Sequence, residues 1–404
     1  MTRSPTRGAR SGAAARALTD QPSAAGPRGF PVKAFAVDDR STQLTWRDLR
    51  PGHLRVQVPD IGLDRIFEVT GEPGAALIDG LPAGVSTTLQ ITLPEATTPE
   101  GMEIRTLPRL PGAELTRLAT IGDLHLGARA FGHRDTIVET PEPEVLHPVR
   151  CTRAAFAEID EWGAQHLLVK GDITNHGLVD EWRTYASLAA EAPCPVHALP
   201  GNHDRGRRAG RANLSPEQAA PAFGLSLALP MTVLDLPGVR VVMADSTLAG
   251  RNLGSVTSIA DDLVDAVAEA DRDCSVLVAL HHQRQPRAVP EGWPFGVPRA
   301  ESTALVDRLA VAHPRVIVTG GHTHRHRRWE RRGVVITQVG SVKDYPGVWA
   351  GYVVSEGGLR QVVRRVSAPD CLSWTDLTRR AAFGAWRFVG PGLLRDRCLA
   401  LRTA

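Results

Sequence analysis

Beyond residue 115 the chain repeats one arrangement. A short apolar run that reads as a buried strand gives way to a turn whose first polar residues are Asp, Asn or His. Runs at 118–121, 166–170, 196–199, 275–280 and 315–319 end on Gly122-Asp123-Leu124-His125, Gly171-Asp172, Gly201-Asn202-His203-Asp204, His281-His282 and Gly320-Gly321-His322-Thr323-His324. Apolar runs of this length, bounded by Gly and Pro, are strands buried on both faces. Further strand signals at 239–244 and 334–339 join helical patterns at 151–163, 179–191, 259–270 and 301–312, the alternation of an α/β fold. Open sheets of that class collect their chemistry on the turns beyond strand ends. A single Asp or His there is usually a cap or turn residue. Five in series are hard to attribute to chance.

The donors are oxygen and imidazole, without thiolate, which suits divalent Mn, Fe or Zn in a reactive site rather than a structural zinc. The five cysteines, Cys151, Cys194, Cys274, Cys371 and Cys398, form no CxxC. Their odd number and wide spacing argue for free thiols, not a disulfide framework.

Composition bounds the partners. A net charge of +3 over 404 residues implies no nucleic-acid or membrane partner. No apolar run reaches the 18 or so residues of a membrane span. The N-terminal arginines precede no apolar stretch of the kind a secretory signal needs, so a cytoplasmic location is expected. Oligomeric state is not readable.

Four regions follow. Residues 1–29, rich in Ala, Arg, Gly, Ser and Pro, read as a disordered leader. Residues 30–112 alternate short apolar–polar runs with turns and show no helical pattern, which predicts a small all-β sandwich. Trp46 on an early strand, and Leu81-Pro82-Ala83-Gly84-Val85 before a later one, make this part similar to a fibronectin type III domain. The α/β region spans 113–367. Residues 368–404, with Trp374, Trp386 and several Arg, are expected as short helices packed on it.

Asp123-x-His125, Gly171-Asp172, Gly201-Asn202-His203-Asp204, a His at a strand end, and Gly321-His322-x-His324 together resemble the calcineurin-like metallophosphoesterases, in family order from about 115 to 366. The resemblance implies a four-layer αββα sandwich with a dinuclear metal centre at one sheet edge. By position it implies that Asp123, His125 and His324 hold one divalent ion, that Asp172 bridges, and that Asn202, His281 and His322 hold the second. His282 is the alternative to His281. His203 would face the substrate phosphate and Asp204 would orient His203. The implied reaction is hydrolysis of phosphate mono- or diesters by a metal-bound hydroxide, on a small phosphoester substrate.

Elementary chemistry agrees with this assignment. Two cations roughly 3.5–4 Å apart can acidify a shared water and neutralise phosphoryl charge. They repel strongly unless a carboxylate lies between them. An imidazole has only one lone pair to offer, so the bridge is an Asp. The order of a β-sandwich followed by this domain resembles purple acid phosphatases. However, Ile173-Thr174-Asn175-His176 stands where their metal-binding Tyr would follow Asp172. Gln283-Arg284-Gln285-Pro286 replaces the Pro that often follows the His doublet. One rival is a DNA nuclease of the double-strand-break repair type, which shares the opening from Asp123 to Gly127 but would need a basic stripe. The other is a non-catalytic binding protein, which would be expected to lose ligands.

Weaker candidates remain. Arg205, Arg207, Arg208 and Arg211 read as a solvated loop, with phosphate gripping the alternative. Asn175 and His176 are candidates to line the cleft, and Asp344 with Tyr345 to close over the substrate. His133, His147 and the run Arg325-His326-Arg327-Arg328 are expected at the surface.

Overall fold

Period-two burial in the strands sets the layers. In the computed structural model, which describes residues 18–206, 213–285 and 295–402, Leu118, Leu168, Val241, Met243, Leu277 and Ala279 share one core. Their strand neighbours Ala119, Ile121, Leu167 and Val169 face a second core. Val242, Ala244, Val276 and Val278 face a third. The first core lies between two sheets and the others lie beneath helices. Helices His147–Trp162 and Val179–Glu191 cover one sheet, and Ala260–Ala268 and Arg299–Ala312 cover the other. The four-layer αββα sandwich expected from the sequence is the observed architecture.

The first sheet runs in the order Leu18–Asp20, Cys398–Arg402, Gly358–Arg365, Val348–Ser355, Glu114–Ile121, His166–Lys170, Val196–Leu199. The second runs Met231–Leu236, Val239–Ala244, Ser275–Ala279, Val316–Gly320, Val334–Gln338, Arg327–Arg331. The strands that end on Asp, Asn or His pair in parallel within each sheet. Parallel strands joined through helices present all their carboxyl ends on one edge. The hairpin of Val348–Ser355 and Gly358–Arg365 was not expected. Both its strands are buried almost throughout, so they carry no alternation to read. Among the described residues no helix is long and apolar enough to cross a membrane.

The N-terminal region forms two antiparallel sheets. One has five strands, among them Gly52–Val58 and Ser86–Thr92, and the other three, Lys33–Val37, Ser41–Trp46 and Gly74–Asp79. Trp46, Leu54, Val56, Ile78, Leu89, Ile91 and Ile104 fill the space between them. This sandwich is welded to the main body. Phe35, Ala36, Leu107 and Leu110 enter the core between the two large sheets. Gln43 Nε2 donates to the Arg365 carbonyl at 2.7 Å and Gln43 Oε1 accepts from the Arg365 N–H at 2.8 Å. Asp38 takes Arg360 at 2.5 Å and Arg364 at 3.3 Å.

Two terminal expectations need correction. The leader was expected to be structureless to residue 29, but Leu18–Asp20 pairs with Cys398–Arg402 and Ser23–Ala25 with Glu100–Arg105. Residues 1–17 lie outside the described part. The tail does contain the short helices Pro369–Thr378, Trp386–Val389 and Leu394–Arg397, but it ends in the strand Cys398–Arg402 beside Gly358–Arg365. Both strands are conferred by an available sheet edge, not by local propensity. All five cysteines are free, as expected.

Candidate metal centre

Tight turns bring the strand-end residues together. Asp123, His125, Asp172, His322 and His324 have φ of 54°, 48°, 48°, 71° and 53°. Left-handed backbone is uncommon outside glycine, costs of order 1–3 kcal/mol per residue, and concentrates at functional sites. The glycines serve close approach: a Cβ on Gly201 would lie 2.1 Å from the Asp172 amide nitrogen, and one on Gly171 would lie 2.6 Å from His281 Nδ1. What Gly201 serves is therefore proximity to Asp172.

Asp172 is buried with its two oxygens aimed at different partners. Oδ2 is 3.5 Å from His125 Nε2, and Oδ1 is 3.3 Å from His281 Nε2. His125 Nε2 is 3.2 Å from His324 Nε2, which is 3.6 Å from Asp123 Oδ1. His281 Nε2 is 3.2 Å from Asn202 Oδ1. His322 completes the cluster. Its ring lies 5.1 Å from that of His281, and its backbone N–H donates to Asp123 Oδ1 at 2.8 Å.

Several donor atoms here lack a proton or a partner. His281 gives its Nδ1 proton to the Lys170 carbonyl at 2.8 Å, so its other nitrogen points at two oxygens. A proton or a cation must lie between them. Asp123 Oδ2 and both ring nitrogens of His322 are buried without a hydrogen-bond partner among the described residues. Unmet buried donors and acceptors cost about 1–3 kcal/mol each, and divalent cations are what this donor set suits. Asp123, His125 and His324 present ligand atoms within 4.8 Å of one another, and so do Asp123, Asp172 and His281.

The electrostatics sort the groups. Burial alone would raise the Asp172 carboxyl, but His281 and His203 hold it well below its ordinary value. Asp123 is raised, chiefly by burial, with the Asp172 charge adding to it. Burial keeps His125 and His282 neutral, and it pushes His322 down to about 3. Burial opposes charge on His281 as well, yet Asp172 and Asp123 raise it to about 9. A cation at His281 must therefore displace a proton.

His281, not His282, meets Asp172 and Asn202. His282 instead turns Nδ1 to Ser246 Oγ at 3.0 Å, while its ring sits 4.7 Å from that of His322. His203 directs Nδ1 to the Asn175 carbonyl at 2.9 Å, and its ring meets His125 edge-on at 4.5 Å.

The expectation for Asp204 is corrected. Its carboxylate accepts from the backbone N–H groups of Gly201, Ile173 and Thr174 and from the Thr174 hydroxyl, at 2.7–3.2 Å. It ties the Asp172 turn to the Asn202 turn, and the partner of His203 is Asn175. Asp344 is corrected likewise. It is fully buried, and its Oδ2 receives His324 Nδ1–H at 2.7 Å. Its one sequence signal was position on a late loop, which does not reveal burial. Lys170 was missed. Its Nζ donates to Thr319 Oγ1 at 3.2 Å and the Gly320 carbonyl at 3.0 Å, and burial lowers it to about 7.

Among the weaker candidates, Arg205 is taken up by Asp245, Glu217 and Thr247. Arg207, Arg208 and Arg211 lie outside the described residues. His133 is exposed, as expected. His147 and His326 are buried instead, His147 with its ring 3.9 Å from that of Trp374.

The sequence model of one family, described as calcineurin-like phosphoesterase, matches residues 116–326. A 3',5'-cyclic adenosine monophosphate phosphodiesterase of Pseudomonas aeruginosa is 24% identical over 159 residues, 39% of this chain and 54% of that protein. The chain thus spans about half the length of that relative. A probable cyclic nucleotide phosphodiesterase of a Synechococcus strain is 25% identical over 214 residues, 52% of this chain and 73% of that protein. Among solved structures, a purple acid phosphatase from yellow lupin superposes with TM-score 0.45 at 14% identity, covering 87% of this chain and 73% of that one. A dimetal phosphatase from Danio rerio gives TM-score 0.48 at 14% identity, covering 63% and 97%.

Proposed function

The chain belongs to the calcineurin-like phosphoesterase family, and from that premise we propose that it is a dinuclear metal-dependent hydrolase of phosphate esters. In this reading Asp123, His125 and His324 hold one divalent ion, and Asn202, His281 and His322 hold the other. Asp172 is shared. The observation that carries the reading is the divided aim of the Asp172 carboxylate, one oxygen toward His125 and the other toward His281. Two divalent ions bound there would acidify a water and neutralise charge on the phosphoryl oxygens.

The protein's own groups supply the rest. His203, with Nδ1 committed to Asn175, has Nε2 left to bind a phosphoryl oxygen or to protonate the leaving oxygen. Asn202 is neutral, so the cluster keeps positive charge for an anionic substrate. No Tyr follows Asp172 within a few residues, which favours Mn, Fe(II) or Zn over a tyrosinate-bound Fe(III). The names of the two bacterial relatives favour a diester, and a nucleotide-like one among the candidates. The N-terminal sandwich is read as a fibronectin III-like module and the protein as cytoplasmic.

The test is hydrolysis of bis-p-nitrophenyl phosphate and p-nitrophenyl phosphate by purified protein with Mn²⁺, followed by a panel of mono-, di- and cyclic nucleotide esters. Turnover that EDTA abolishes and Mn²⁺ restores is expected. Absence of turnover across the panel with each of the three metals would overturn the reading.

A further inference from the structure

The stretch between Asp376 and Asp396 contains no acidic residue and four arginines, Arg379, Arg380, Arg387 and Arg395. It also carries large apolar side chains that the fold leaves outside. Phe383 is 109% exposed, Phe388 72% and Leu393 56%. Ala382 and Phe383 both sit in left-handed backbone, at φ 51° and 55°. That is a strained conformation for side chains of this kind, and it accompanies complete exposure rather than burial. Arg387 lies over the Phe388 ring at 4.6 Å. Arg380 and Arg395 are exposed as well, and no ion pair among the described residues engages any of these three arginines.

This stretch adjoins the metal centre. Trp386 Nε1 donates to the Tyr345 carbonyl at 3.1 Å, one residue from Asp344. The Trp386 ring is 5.8 Å from Phe131, whose ring is 6.1 Å from His324. Aromatic side chains projecting among arginines, with no acid within the stretch itself, match the headgroup zone of an anionic bilayer. There, apolar bodies enter the acyl boundary while guanidinium groups stay with phosphates. A second copy of this chain fits the surface less well. A two-fold contact would set the arginines of one copy against those of the other.

We infer that residues 379–395 dock this protein on an anionic phospholipid surface and set the mouth of the metal centre beside it. The docking stands without the phosphoesterase reading. Its corollary, that the substrates include phosphoesters carried on that surface, rests on it.

Full-length protein sedimented with vesicles of phosphatidylglycerol and phosphatidylcholine, and with vesicles of phosphatidylcholine alone, tests the docking. Retention on the anionic vesicles only, weakening with salt, is expected. Phe383→Glu with Phe388→Glu should weaken it at least tenfold, about 1.4 kcal/mol, and so should Arg380→Glu with Arg387→Glu. Both variants should hydrolyse soluble bis-p-nitrophenyl phosphate at the wild-type rate. No retention of the wild type, or equal retention of the phenylalanine variant, overturns the proposal. So does a wild-type dimer that this variant splits without any vesicle binding. Lack of hydrolysis by the wild type, with vesicle binding intact, would sink the phosphoesterase reading alone.

Discussion

Asp344 Oδ2 receives the Nδ1–H of His324 at 2.7 Å, from a loop on the far side of the site. That bond fixes the tautomer, so Nε2 offers a lone pair toward His125 and Asp123. The C-terminal helices hold the loop in turn. Trp374 Nε1 donates to the Lys343 carbonyl at 2.6 Å, and Thr378 Oγ1 accepts from the Tyr345 N–H at 2.8 Å. On the other side Arg365, itself held by Gln43 of the N-terminal sandwich, donates to the Pro346 carbonyl at 2.9 Å. Both ends of the chain thus support one imidazole.

Loss of an outer carboxylate of this type typically costs about 10–100-fold in metal affinity or activity. Asp344→Asn is expected to weaken Mn²⁺ binding within that range in a calorimetric titration, and also to lower the thermal unfolding midpoint, because it breaks the buried pair with Lys343 Nζ at 3.1 Å. Wild-type affinity would leave Asp344 without a part in the site.

Removing the shared carboxylate should be more severe than removing a supporting one. Asp172→Ala is expected to lower bound metal, counted by elemental analysis after dialysis, below that of the wild type and to abolish turnover. Full metal content with full turnover would remove Asp172 from the cluster.

His203 and Asp204 are neighbours with separable roles. His203→Ala should retain its metal while kcat falls by about 10²–10⁴-fold, the usual contribution of a proton donor. Asp204→Ala strands the buried amides of Gly201, Ile173 and Thr174. At about 1–3 kcal/mol per orphaned donor, this variant should show a clearly lowered unfolding midpoint. If His203→Ala loses metal and activity together, its assigned role is wrong.

Acid should loosen the union of sandwich and main body. Burial alone would raise the Asp38 carboxyl, but Arg360 and Arg364 outweigh it and hold it below 3.8. An acid with a depressed folded pKa lends stability above its unfolded value and loses it as pH falls through the folded one. Asp39 beside it is raised, by burial and by the Asp38 charge, and so contributes in the opposite sense. Asp38→Asn should cost about 3 kcal/mol near neutrality, as breaking a buried pair does. Chemical denaturation against pH should show that difference shrinking below pH 3.8. A constant difference would place the stabilisation elsewhere.

Some of this protein was legible along the chain. The strands and helices of the αββα body could be read because burial on one or both faces leaves a local periodic trace. The residues that meet at the site could be read because each stands within the first few positions past its strand. Tertiary structure decided the rest. Leu18–Asp20 and Cys398–Arg402 are strands because each found an open edge. Asp204 serves backbone amides and Asp344 serves His324, because a buried carboxylate must take whichever donors the packing brings to it. His281 rather than His282 faces Asp172, because the turn past Ala279 aims His281 Nε2 at that carboxylate and seats His282 Nδ1 on Ser246. Local pattern records which residues are near a turn; only the packed chain determines which of their atoms meet.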